Sequence, residues 1–415
     1  MTFLVKCGKI LDSTSLILPK RRGLKMDLLA LKSEFVKNFG KKEENEIVVY
    51  FAPGRINLIG EHIDYNGGFV FPAAITFGTY AAVTARNDGR VALFSGNFKE
   101  DGIIEFDLDD VSRVADEPWS VYVKGVVDVF KKTGYDVKQG FNAYIEGNIP
   151  NGAGLSSSAS LEVLIGVILA DLNGFELSGV DNALLAQKAE NEYVGVNCGI
   201  MDQFAIAMGK DAKAIKLNTD TLDYEYADCD LQDYRILIMN TNKRRELADS
   251  KYNERRAECD EALEILQKET KINYLCDLTT SKFDEISHVL TKENLLKRAR
   301  HAVSENERVK DAVSALSTGN LGDFGKLLNA SHNSLRYDYE VTGIELDTIV
   351  QLAQNESSTL GARMTGAGFG GCAIALVHKD SIDEVSNNIA LAYKEKIGYE
   401  ASFYIASIGD GARKL

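Results

Sequence analysis

Apolar positions follow two spacings along the chain, and the change from one to the other divides it. Between residues 47 and 95 they alternate or run in short β-branched stretches, so Ile47 to Phe51, Phe69 to Ile75, Thr79 to Ala85 and Val91 to Ser95 each read as a strand. Ala52-Pro53-Gly54 reads as a turn after the first of these, and Asn66-Gly67-Gly68 as a hairpin signal before the second. Phe141, Ala143 and Ile145 alternate with more polar neighbours and predict one more strand. Helical spacing begins at Met26, with Leu28, Leu31, Phe35 and Phe39 on one face, and returns at Ala159 to Leu172, Asp181 to Tyr193 and a short segment from Gln203. After a strand at Arg235 to Asn240 it dominates: Ser250 to Gln267, Asn294 to Leu316, Leu321 to Arg336 and Gly343 to Asn355 are expected helices. Two strands, Ala362 to Met364 and Cys372 to Val377, flank the glycine-rich turn Thr365 to Gly371.

The polar, weakly periodic stretch Asn218 to Asp233 is the expected join between two α+β domains, residues 26–217 and 218–415. Residues 1–25 fit neither. Met26 is the expected natural start, with residues 1–25 an N-terminal extension that is disordered or non-native and whose deletion leaves activity and melting temperature unchanged.

Composition narrows the function classes. Lys and Arg number 47 against 61 Asp and Glu, a net charge of −14, so no basic face for nucleic acid is expected. No apolar run approaches a membrane span, and Lys6, Lys9 and Asp12 interrupt the apolar residues near the start. The six cysteines are dispersed without metal-finger spacing, which fits reduced thiols in a cytoplasmic protein. A monomer without nucleic-acid or membrane partners is expected.

The densest chemistry lies between the strand ending at Ile145 and the helix at Ala159. In Asn151-Gly152-Ala153-Gly154-Leu155-Ser156-Ser157-Ser158-Ala159-Ser160, glycines at a helix entry let backbone N–H groups approach a phosphate, and the helix N-terminus favours the anion. The three serines offer hydroxyls to phosphate or a metal ion; a plain loop with serine caps is the bland alternative. A second cluster, Glu61, His62 and Asp64, packs three polar groups into four residues; a solvated charge cluster is the bland alternative, and the spacing is not a standard zinc one. The usual nucleotide signatures, G-x-x-x-x-G-K-[ST] among them, are absent from the sequence. Asp202 reads equally as a helix N-cap or a catalytic group, and Arg55 as a surface residue or its partner.

Three motifs, Gly54-Arg55-Ile56-Asn57-Leu58-Ile59-Gly60-Glu61-His62-Ile63-Asp64-Tyr65, Gly154 to Ser160, and Met364-Thr365-Gly366-Ala367-Gly368-Phe369-Gly370-Gly371, resemble in order those of the GHMP small-molecule kinases. The first resembles the galactokinases within that superfamily. Trp119 to Val126, Cys198 to Gln203, Ser250 to Arg255 and Lys297-Arg298-Ala299-Arg300-His301 continue the resemblance over about residues 26 to 415. It implies a two-domain GHMP kinase fold, with an N-terminal domain of the ribosomal-S5-domain-2-like α/β type and a ferredoxin-like α+β C-terminal domain.

The implied reaction is phosphorylation of α-D-galactose at its C1 hydroxyl by ATP, with Mg²⁺ as cofactor. By the same resemblance Asp202 is the base and Arg55 its partner; Glu61 and His62 bind the C6 side of the sugar, Asp64 the C3 and C4 hydroxyls, Tyr252 the C4 hydroxyl, and Gly199 a nearby hydroxyl through its backbone. Gly152, Ala153, Gly154, Leu155, Ser156, Ser157, Ser158, Ala159 and Ser160 hold ATP, with Trp119 near the adenine, and Ser158 and Glu190 hold the metal. Without the resemblance Tyr252 and Trp119 read as core aromatics, Glu190 as a solvated helix residue, and Lys297, Arg298 and Arg300 as a charged helix face. Two rivals stand beside this reading: a related kinase acting on N-acetylgalactosamine or arabinose, and a non-catalytic galactose sensor. Such sensors can lack Ser-Ala residues in the serine loop, whereas Ser158, Ala159 and Ser160 are present here.

Overall fold

The computed structural model describes residues 26–41, 46–114, 117–150, 154–243 and 248–415. The expected extension, residues 1–25, lies outside them, as do Gly152 and Ala153.

The first half runs α1 (Leu28–Phe39), β1 (Val48–Asn57), β2 (Phe69–Val70), β3 (Pro72–Arg86), β4 (Arg90–Ser95), β5 (Ile103–Asp107), α2 (Ser120–Lys132), β6 (Gly140–Gly147), α3 (Ser157–Asn173), α4 (Gly179–Lys188), α5 (Met201–Met208), β7 (Lys213–Asn218) and β8 (Tyr224–Asp228). The second runs β9 (Tyr234–Asn240), α6 (Ala248–Leu266), α7 (Thr280–Ile286), α8 (Glu293–Ser317), α9 (Leu321–Ser334), α10 (Gly343–Gln354), β10 (Thr359–Thr365), β11 (Cys372–His378), α11 (Ile382–Ile397), β12 (Ser402–Ala406) and β13 (Arg413–Lys414).

Three sheets organise these elements. The first has the order β13-β1-β3-β6-β4-β5, the second β10-β11-β9-β12, and the third is the small ribbon β2-β7-β8. Helices α2, α3 and α4 bury Val126, Phe130, Leu164, Ile168 and Leu185 against one face of the first sheet, while α1 seals the other with Leu31 and Phe35. Asp27 starts α1 by accepting the Leu29 and Ala30 N–H groups. A larger core joins the second sheet to α8, α9, α10 and α11 and reaches Ile56, Leu58 and Ile59 of the first motif. The two halves therefore share apolar packing where the site lies.

Several expectations change. Ala52-Pro53-Gly54 does not turn: β1 continues through it and pairs with β3 from Val48↔Val83 to Asn57↔Pro72, with a register shift between Pro53 and Arg55. The irregularity accommodates proline, which cannot donate to the ladder. It also lets the strand lie against the serine loop, where the Arg55 N–H donates to the Leu155 carbonyl at 3.2 Å. A Cβ at Gly54 would stand 2.7 Å from that same oxygen. Gly54→Ala is therefore expected to destabilise the fold by about 1–3 kcal/mol, read as a lower denaturant midpoint; an unchanged midpoint would show the contact to be slack.

The two expected strands Phe69 to Ile75 and Thr79 to Ala85 are redistributed as β2 and the single long β3. Gly78 makes the continuity possible, since a Cβ there would lie 2.3 Å from the Ala52 carbonyl oxygen. Asn66-Gly67-Gly68 turns the chain, with the Asn66 and Gly68 N–H groups both donating to the Ile63 carbonyl, but closes no tight hairpin. It lies inside the long connection from Leu58 to Phe71, and β2 pairs with β7 instead. The helix expected over Asp181 to Tyr193 is α-helical only to Lys188 and widens into a π turn at Ala189–Val194. The stretch expected as a join contains β8, whose largely exposed residues show no alternation, and β13 returns from the far end of the chain to pair with β1.

Candidate active site

The register shift in β1 brings Arg55 beneath the start of α3. Its guanidinium grips Asp202 with two parallel hydrogen bonds, Nε to Oδ1 and Nη2 to Oδ2, both 2.7 Å, and its Nη1 donates to the Gly154 carbonyl at 2.9 Å. Arg55 is buried, and the Asp202 side chain keeps 29% of its surface exposed. Asp202 sits in the first turn of α5, whose N-cap position is Ile200, so it is not the cap. Ser156 also donates to its Oδ2. Fork geometry of this kind fixes both oxygens, which a lysine cannot do.

Asp202 and Arg55 open on a cavity of about 220 Å³ lined also by Glu61, His62, Asp64, Gly154, Leu155, Ser156, Ser157, Ser158, Glu190, Cys198, Gly199 and Tyr252. Motifs separated by some 200 residues of chain thus meet. Ala159, Ser160 and Trp119 are not in the lining. Ser160 turns its hydroxyl to the Ala52 carbonyl and Thr79, tying α3 to β1 and β3, and the Trp119 indole N–H has no partner. At the loop itself, Gly154 and Ser156 both adopt left-handed backbone, with φ of 71° and 64°. Size does not select the site: a hollow of about 680 Å³ beside α3 and α4 has Asp171 as its one carboxylate, already paired with Lys414 and Tyr50.

On the side of the Glu61 to Asp64 loop, both Glu61 carboxylate oxygens carry hydrogen bonds from the protein. Its carboxylate accepts from Asn57 at 2.7 Å, from Arg363 at 2.9 Å and from the Gly366 N–H, joining the first and third motifs. His62 Nε2 faces the Ala367 carbonyl at 3.1 Å, and a carbonyl only accepts, so the ring hydrogen is on Nε2. Nδ1 then accepts from the Tyr65 hydroxyl at 2.8 Å, which accepts from Tyr339 at 2.7 Å, which in turn accepts from the Cys259 thiol at 3.1 Å. Burial lowers the His62 pKa to about 3, in keeping with that neutral tautomer. Both ring nitrogens are thus used within the protein. Tyr252 packs on the His62 ring at 5.4 Å between centroids. Gly199 is required by Asp64, because a Cβ there would lie 1.9 Å from Oδ2.

Burial, then repulsion from Asp202 and Glu61, raises Asp64 from 3.8 to about 7. Burial and Asp202 likewise raise Glu190, on the π turn, to about 7. A carboxyl raised this way stabilises the fold most below its unfolded pKa, and that contribution is lost as pH rises through the folded value. The ligand-free protein is expected to melt at a lower temperature at pH 8 than at pH 6, with Asp64→Asn removing part of the fall; equal pH slopes for the two proteins would refute this.

The sequence-expected residues Arg55, Glu61, His62, Asp64, Ser156, Ser157, Ser158, Glu190, Gly199, Asp202 and Tyr252 converge on one cavity. Arg363, Asn57, Tyr65 and Tyr339 were missed. Arg363 carried a signal, a lone charge in the otherwise apolar run before the glycine turn, and Asn57 lies inside the first motif.

Comparison with known proteins settles the family. The galactokinase galactose-binding signature matches residues 33–85, and the GHMP kinase N-terminal and C-terminal domains match residues 121–210 and 312–395. A galactokinase of Clostridium perfringens is 56% identical over 390 residues, 94% of this chain and all of that protein. The chain belongs to the galactokinase family. A second galactokinase, from Clostridium acetobutylicum, is 53% identical over the same span. The crystal structure of Lactococcus lactis galactokinase complexed with galactose superposes with a TM-score of 0.92 at 52% identity, covering 94% of this chain and 100% of that one. A mevalonate kinase structure, at 19% identity and a TM-score of 0.62 over 88% of this chain and 99% of its own, shares the fold. The cavity places the carboxylates of Glu61, Asp64, Glu190 and Asp202 beside the N-terminus of α3.

Proposed function

We propose that this galactokinase-family chain transfers the γ-phosphoryl group of ATP to the C1 hydroxyl of α-D-galactose in the 220 Å³ cavity, with Asp202 as base and Arg55 as its partner. The observation that carries the reading is the two-bond Arg55–Asp202 pair, facing acceptor groups on one side and the serine loop on the other. Galactose bound by Glu61, His62, Asp64, Gly199 and Tyr252 presents its C1 hydroxyl to Asp202. Since both His62 ring nitrogens are used, its contribution to the sugar comes through the main chain and ring edge. Asp202 takes the hydroxyl proton as the oxygen bonds to the γ-phosphorus, and the bond to the β-bridging oxygen breaks, releasing ADP. Arg55 holds the carboxylate in line and lends positive charge to the moving phosphoryl group. The backbone of Gly154 to Ser158 and the N-terminus of α3 receive the remaining phosphates.

The cavity already holds Glu61, Asp64, Glu190 and Asp202, so ATP needs a cation to enter beside them. The residues fit Mg²⁺. The Ser158 hydroxyl bonds Glu190, and behind them the buried Glu162 Oε1 and Gln203 Oε1 have no partner. Ser158 and Glu190 would hold the Mg²⁺, which would offset the negative charge of the ATP phosphates. The reading of a cytoplasmic protein rests on Cys198, Cys229, Cys259, Cys276 and Cys372, which are thiols and not disulfides. No described helix is long and apolar enough to cross a membrane.

The test is ADP release with Mg-ATP against galactose, N-acetylgalactosamine, arabinose and glucose. Galactose is expected to give the highest kcat/KM. Preference for another sugar would change the substrate, and sugar binding without turnover would replace the enzyme with a sensor.

A further inference from the structure

We propose that α8 is the positioning element of the sugar loop, with His301 and Glu305 setting galactose affinity from behind the cavity without touching the sugar. This rests on the galactose reading above and deepens it.

The basic motif Lys297 to His301 reads in sequence as a helix face, and part of it is more than that. Arg298 is buried and ties α8 to Glu258 at 2.6 Å, Glu340 at 2.9 Å and the Asp338 carbonyl at 2.6 Å. Over the next two turns His301, Glu305 and Asn306 are all buried, and each takes a main-chain group of the segment between β1 and β3. Glu305 Oε1 accepts the Gly60 N–H at 3.0 Å. His301 Nε2 donates to the Glu61 carbonyl at 3.0 Å, while its Nδ1 accepts from Ser334 at 2.9 Å. Asn306 Oδ1 accepts the Phe69 N–H at 2.8 Å. The loop is therefore held at its entry and its exit by one rigid helix.

The chemistry of these three positions exceeds what packing needs. Glu305 and His301 are fully buried, and burying a carboxylate costs stability unless it is well paired. Glu305 meets that cost with Arg308 at 2.7 Å and the Ser331 hydroxyl at 2.5 Å, and against the upward push of burial these partners hold its pKa at about 2. It is a permanent acceptor. Burial lowers His301 to about 4, so it is a permanent neutral donor at Nε2. Apolar residues would pack as well but would leave the Gly60 N–H and Glu61 carbonyl unpaired. Gly60 has little freedom to find another arrangement: its φ is 100°, and a Cβ would meet the Phe69 carbonyl oxygen and Val309, each at 2.9 Å. None of the three α8 residues lines the cavity, whereas Glu61, His62 and Asp64, which they aim, all do. Small misplacements of such groups are costly to binding and rate.

The experiment pairs a disruptive with a conservative change at each position and reads galactose and Mg-ADP dissociation constants by calorimetry, together with KM for each substrate and the melting temperature. Glu305→Leu is expected to weaken galactose binding at least about tenfold while Mg-ADP stays within about twofold; Glu305→Gln, which keeps an acceptor oxygen, recovers galactose binding to within about threefold of the parent. His301→Leu and His301→Gln should divide the same way, the glutamine amide reaching where Nε2 stands. Should Glu305→Leu not fold, the His301 pair and Asn306→Ala carry the test. Unchanged galactose binding in the folded leucine variants overturns the proposal, and so does an equal loss for galactose and Mg-ADP, which a merely structural role would give. If the parent chain phosphorylates another sugar, the galactose reading alone falls, and the same variants are titrated with that sugar.

Discussion

Asp202→Asn is expected to lower kcat by about 10²- to 10⁴-fold, the usual contribution of a positioned base, while galactose binding stays within about threefold by calorimetry. Asparagine keeps the size and one acceptor oxygen, so the hydrogen bond to the Arg55 Nε–H can persist with little rearrangement. What disappears is the ability to take a proton from the C1 hydroxyl. Because the buried Arg55 loses the charge of its carboxylate partner, the melting temperature should fall modestly while the protein stays folded. A variant with parental kcat would remove Asp202 from the chemistry, and one that loses galactose binding to a similar degree would make it a binding residue.

Arg55→Met should cost about 10²- to 10³-fold in kcat, comparable to loss of one preorganised charge-stabilising donor. Three hydrogen bonds vanish together: two to Asp202 and one to the Gly154 carbonyl. The first two losses free the base from its fixed direction, and the third unties the serine loop from β1. Arg55→Lys should recover little, since one ammonium cannot face both carboxylate oxygens in a fork. Because Gly154 begins the serine loop, KM for ATP should rise in both variants while the galactose dissociation constant changes less. Equal kcat for Arg55→Lys and the parent would show that charge alone suffices.

Sequence made the local half of this site legible. Residues such as Glu61, His62, Asp64 and the three serines announce themselves by density, since polar groups packed beside glycines serve few purposes other than ligand binding. Long strands and amphipathic helices were legible for the same local reason. Strand β1 was misread at Pro53-Gly54 because the usual turn chemistry was overridden by a neighbour 100 residues away, the Leu155 carbonyl that needs glycine's missing Cβ. Helix α2 was missed as a helix because Val121, Val123, Val126, Val127 and Val129 are all buried, so β-branched residues on several sides hide the 3.6-residue period. The residues that brace the site were hardest to see. Glu305 meets Gly60 across 245 positions and Arg363 meets Glu61 across 302, and no local pattern encodes contacts of that range.

The His62 chain has a consequence for transplanting the first motif into another protein. Tyr65 travels with the loop in a graft, but Tyr339, Cys259 and the Ala367 carbonyl do not. A transplanted loop would arrive in a host whose proton donors run in another order, and its histidine would adopt whichever tautomer the host imposed. Moving the loop is therefore a matter of moving a hydrogen-bond polarity along with a peptide. The smallest portable unit is scattered over four stretches of the chain.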